Sequence, residues 1–72
     1  MGKAEKEILL MKIAARVKQL RKEKGLTQRD IIYTTDINII RIEKAEINVT
    51  IYTIERLCDY FGITLAEFFS RL

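Results

Sequence analysis

Two stretches in which apolar residues return every three or four positions, each closed by a glycine, constrain this chain more than anything else in it. Leu10, Ile13, Ala14, Val17 and Leu20 line one side of a helix that the pattern starts near Ala4 and stops at Gly25, a residue suited to the left-handed position past a helix end. Ile51, Ile54, Leu57, Cys58 and Phe61 form a second stripe ending at Gly62, with Thr50 able to cap its first turn. The segment between is divided by residues that compete for backbone hydrogen bonds. Thr27 with Asp30 three residues on makes a capping-box-like start, and Ile31 supplies an inward anchor for a short second helix. Thr34-Thr35-Asp36 reads as a turn, after which Ile39 and Ile42 resume helical spacing. Thr64-x-x-Glu67 repeats the capping pattern before Leu65, Phe68 and Phe69. With no strand pattern and no proline, the expectation is an all-α, compact five-helix bundle.

At 72 residues and 49% hydrophobic content, we expect one small domain over 1–72, with residues 1–12 extending the first helix at its N-terminus and no room for a second, ligand-sensing domain. The net charge of +3 is uneven. Residues 1–25 carry eight Lys or Arg against three Glu, whereas 26–50 carry three against four and 51–72 two against three, so the basic character belongs to the first helix. A pI near 9.2 suits a polyanionic partner. The residue inventory weighs against catalysis. There is no His, one Ser (Ser70) and one Cys (Cys58), so neither a Ser/His nor a Cys/His nucleophile pair can be assembled, no intrachain disulfide can form, and zinc lacks its usual ligands. We therefore expect a non-enzyme with no cofactor, no metal and no small-molecule ligand. Cys58, four residues after Ile54, reads as a small core residue. The absence of a secretory signal and of an apolar run long enough for a membrane span leads us to expect a cytoplasmic protein with no membrane partner.

The ordered set Gly25-Leu26-Thr27-Gln28, then Arg41-Ile42-Glu43-Lys44-Ala45, then Asn48-Val49-Thr50 resembles the helix-turn-helix of the phage repressor/Cro, or xenobiotic-response-element, family, over about residues 13 to 69. The resemblance implies a lambda-repressor-like fold that binds double-stranded DNA, similar to the controller proteins of restriction-modification systems. It assigns Thr35, Ile37, Asn38 and Arg41 to the reading helix and its entry, where Asn can pair with adenine, Arg can fork onto guanine and an aliphatic can meet a thymine methyl. Thr27, Gln28, Lys44, Asn48 and Thr50 fall where similar proteins grip the sugar-phosphate backbone; the Gln28 amide can brace a phosphate or another side chain. Arg21 and Glu43 match positions that pair to tie the first helix to the end of the third, and so are expected to be structural.

One spacing departs from the pattern. Gln28 and Glu43 are fifteen residues apart, about three fewer than a full second helix, glycine turn and reading helix need. Counting forward from Gln28 places Asp36 at the turn glycine and Ile42 at the buried centre of the reading helix; counting back from Glu43 puts Ile39 there and shortens the second helix. The backward count is preferred, because Ile42-Glu43-Lys44-Ala45 and Asn48 agree together. The expected function is a transcriptional repressor or controller binding a palindromic operator as a homodimer, since one module reads only a few base pairs. Tyr52, Tyr60 and Phe69, or the N-terminal segment with Ile8 and Leu9, are candidate dimer residues. The alternatives are an antitoxin of a toxin–antitoxin pair with the same fold, or a helix-turn-helix used only for protein interaction.

Overall fold

The computed structural model describes residues 2–72. Its first helix, α1 (Lys3–Glu23), spans about 30 Å at 1.5 Å per residue and sets the 34 Å long axis of the molecule. Gly2 opens it with a backbone N–H donated to Glu5 Oε2 at 2.8 Å. Gly25, with φ of 68°, closes it: its own N–H bonds to Lys22 O and that of Leu26 to Arg21 O, satisfying two carbonyls of the last turn.

α2 (Gln28–Thr35) begins at a reciprocal cap, in which Thr27 Oγ1 accepts from Asp30 N–H while Asp30 Oδ2 accepts from Thr27 N–H. Those bonds hold the Asp30 carboxyl below its ordinary pKa. Asp36 ends α2 in the left-handed conformation at φ 61°, and α3 (Ile39–Glu43) follows after Asn38, whose Oδ1 accepts from Arg41 N–H. α4 (Ile51–Phe61) is capped by Thr50 and closed by Gly62; α5 (Leu65–Phe69) is capped by Thr64 with Glu67.

The placement of the short spacing is therefore opposite to the backward count. α2 keeps eight residues and Thr34 and Thr35 are inside it, whereas α3 has only five. Asp36 tolerates the left-handed conformation, so the chain turns there without a glycine, and Arg56 of α4 satisfies the Thr35 carbonyl at the end of α2. Both Ile39 and Ile42 are buried, because as the first and fourth residues of α3 they share its inward face.

That core joins Ile13, Val17 and Leu20 of α1 to Ile31, Ile39 and Ile42, with Ile54, Leu57, Cys58 and Phe61 of α4 and Phe68 of α5 completing it. Each such side chain stabilises the fold by about 1.5–3 kcal/mol. Burial pushes the Cys58 thiol above its ordinary pKa. Two arginines tie the helices together. Arg16, 5% exposed among the apolar residues of α1, donates from Nε to Phe68 O and from Nη2 to Glu67 O, both at 3.1 Å, closing the carbonyls at the end of α5. Arg56 of α4 donates to Thr35 O at 2.7 Å and does the same for α2. Among the described residues no helix is long and apolar enough to cross a membrane.

Candidate nucleic-acid interface

A five-residue helix does not hold its orientation unaided, so the position of α3 depends on what anchors its ends. At its C-terminal end the Glu43 carboxylate, 2% exposed, receives Arg21 Nε at 2.7 Å on one oxygen and Arg21 Nη2 at 3.0 Å on the other. Gln28 Nε2 adds a third bond to Glu43 at 3.1 Å, and Arg21 Nη1 donates to Leu26 O at 3.0 Å. One carboxylate thus fixes α3 against the end of α1 and the start of α2 together. The bidentate bond to Glu43 raises the Arg21 pKa above its ordinary value. Gln28 is consequently committed to another side chain rather than left open to a phosphate.

At the other end, Thr35 and Ile37 are not available to read anything. Thr35 is buried, its hydroxyl donating to Ile31 O at 2.7 Å and accepting from Ile37 N–H at 3.2 Å. Ile37 turns into the core beside Ile31 and Ile39. Burial removes both from the set of base-reading candidates: the turn after α2 needs a hydroxyl bridge and an apolar plug at these two positions.

What stays exposed on the outer side is Asn38, Ile40, Arg41 and Lys44. Asn38 uses one Oδ1 lone pair for its cap and keeps the other, with both amide hydrogens open. Arg41 Nε lies 3.7 Å from Glu46 Oε2 in a pair open to water on both sides, a weak restraint that leaves its fork free. Tyr33, 92% exposed, and Thr34 lie at the adjoining end of α2. Lys44 forms the exposed C-cap of α3 and Asn48 is exposed in the following loop. Thr27 and Thr50 are helix caps, and the Thr50 hydroxyl is occupied twice, accepting from Thr53 N–H and donating to Thr53 Oγ1.

Exposed charges along α2, α3 and their loops balance: Arg29, Arg41 and Lys44 against Asp30, Asp36 and Glu46. The excess of positive charge sits on α1 and its C-cap, where Lys22 and Lys24 precede the α2 start. No group of three His, Cys, Asp or Glu side chains is arranged to hold a metal ion among the described residues. Arg16, Arg56, Tyr33 and Ile40 were not singled out in the sequence. Arg16 carries a signal in its place between Ile13 and Leu20 on the inward face; the exposure of Tyr33 and Ile40 carries none. No family model, no curated protein and no solved structure matches this chain.

Proposed function

We propose that this chain is a helix-turn-helix regulator of transcription that binds double-stranded DNA as a homodimer on a palindromic operator. The observation that carries the reading is the locking of α3 by Arg21, Glu43 and Gln28 while Asn38, Ile40, Arg41 and Lys44 are all left facing solvent. A helix held this firmly from behind, and bare in front, is what insertion into a groove requires. In this reading Asn38 and Arg41 contact bases, Ile40 meets a thymine methyl, and Lys44 and Asn48 grip phosphates. At five residues, α3 is about 7.5 Å long against a major groove about 12 Å wide, so each protomer reads a short half-site and discrimination comes from two of them.

Selection of bound duplexes from a random DNA pool tests this. A palindromic consensus supports it; recovery of no sequence above background, at low as well as physiological salt, refutes it. The balanced charge of the α2–α3 face together with the exposure of Tyr33 and Ile40 favours a second reading, in which the same face binds a protein such as a toxin. A small toxin gene beside this one would favour that reading.

A further inference from the structure

The outer face of α1 carries a second apolar stripe that the core does not use. Ala4, Ile8, Met11 and Ala15 follow one another at spacings of four, three and four, the spacing of a coiled-coil seam, and all four are exposed. Ile8 is 53% and Met11 62% exposed. At 100° per residue the stripe lies opposite Ile13, Val17 and Leu20, which face the core. Beyond Ala15 its next two positions are Lys18 and Lys22, so the apolar seam ends just past the middle of α1. Residues 3–12 precede the first buried residue, Ile13, and a ten-residue helix with nothing packed on its outer side is marginal in water.

We propose that this face pairs with the same face of a second copy, as an antiparallel helix pair. A two-fold axis passing midway between Leu9 and Leu10 sets Ile8 against the partner's Met11 and Ala4 against the partner's Ala15. The large residues meet at the centre and the small ones at the ends, where the backbones approach closely. The same axis brings Glu5, on the flank of the seam, beside the partner's Lys12, and does so twice by symmetry. A parallel pair sets Lys12 against the partner's Glu7 on the other flank and leaves Glu5 without a partner, so rescue of Lys12→Glu by Glu5→Lys is specific to the antiparallel arrangement. The pairing supplies the interface of the operator-binding dimer and in that role rests on the proposed function; the association itself needs no DNA. A seam of this length is smaller than the roughly 1,200–2,000 Å² of a standard stable interface, which makes the dimer weak and concentration-dependent.

Sedimentation equilibrium of the full chain without DNA, from about 1 µM to several hundred µM, is the test, since weak interfaces dissociate in this range. The expected result is reversible dimerisation with a dissociation constant in the micromolar range. Met11→Glu and Lys12→Glu each weaken association at least tenfold, with unchanged helical circular dichroism and melting temperature. Glu5→Lys combined with Lys12→Glu restores it, whereas Tyr52→Glu on α4 leaves it unchanged. A wild-type chain that stays monomeric throughout overturns the proposal. So does a dimer that Tyr52→Glu disrupts and Met11→Glu does not. Because DNA is absent, failure here leaves the DNA-binding reading to be judged by sequence selection alone.

Discussion

Replacing Arg21 by Ala removes the side chain that holds α1, α2 and α3 in one arrangement, and the structure allows its cost to be worked out. The variant loses two bonds to Glu43 and one to Leu26 O, and Glu43 keeps only Gln28. Removing one partner of a buried ion pair costs about 3–5 kcal/mol, because a desolvated charge is left behind. Arg21 is itself 13% exposed, so water can reach part of the vacated space and the expected loss falls to about 2–4 kcal/mol. For a domain of this size that corresponds to a melting temperature lower by roughly 10–25 °C. Urea unfolding at pH 7 measures it, with a double-mutant cycle against Glu43→Gln to isolate the pair. The coupling should be about 1–3 kcal/mol, since the two groups share one bidentate contact. An Arg21→Ala variant that melts within two or so degrees of wild type, or a cycle that closes to zero, refutes the argument that this pair anchors α3.

Ile42→Ala should cost about 2–5 kcal/mol in urea unfolding, because the side chain is 3% exposed beneath α3 and leaves a cavity; a loss below about 1 kcal/mol would show that the site collapses freely. Ala45 closes α3 with φ of 57° and the same paired backbone bonds that Gly25 makes after α1, so Ala45→Gly should raise stability by about 0.5–1 kcal/mol, the strain relieved being partly offset by unfolded-state entropy. A lower melting temperature would contradict it. On DNA, Arg41→Ala should relax preference at one symmetric pair of operator positions at about 1–3 kcal/mol per base contact, while Lys44→Ala should weaken all duplexes alike and reduce the salt slope by about one for each phosphate that Lys44 neutralises. Salt titrations on operator and scrambled duplexes distinguish the two; equal weakening of Arg41→Ala on both duplexes removes it from base reading.

Most of the helical framework could be read from the residues, since caps and glycines act over three or four positions and leave a local trace. Thr27 with Asp30, Thr50, Thr64 with Glu67, Gly25 and Gly62 all mark ends that the structure shows. The segment from Thr34 to Asn38 is not legible in the same way, because its turn chemistry is ambiguous. Thr34 and Thr35 compete for backbone bonds in isolation, but Thr35 bonds back to Ile31 O, and Arg56, twenty-one residues away, satisfies its carbonyl, so α2 runs on to Thr35. That long-range bond has no sequence signal. The same ambiguity makes Thr35 and Ile37 look like base readers, but with the turn at Asp36 both are buried and Ile37 is the plug beneath it. The two apolar stripes of α1 are intermixed in sequence, which is why Ile13 and Val17 read as core while Ile8 reads as a dimer candidate beside Leu9 and not as one face with Met11.

Asn38 carries two duties, and they can be pulled apart. As the cap of α3 it supplies an oxygen to Arg41 N–H; as a base reader it must also donate, since adenine recognition takes one acceptor and one donor from the amide. Asp caps a helix about as well as Asn, and its charge sits favourably at a helix N-terminus, but it has no hydrogen to give and adds a negative charge facing phosphates. Asn38→Asp should therefore leave thermal stability within about 0.5 kcal/mol of wild type while abolishing operator binding. Asn38→Ala should lose both, with about 1 kcal/mol less stability from the missing cap. Calorimetry on the free proteins and fluorescence anisotropy on labelled operator give the two readouts. If Asn38→Asp binds operator as wild type does, the residue is only a cap, and reading by this face falls to Ile40 and Arg41 alone.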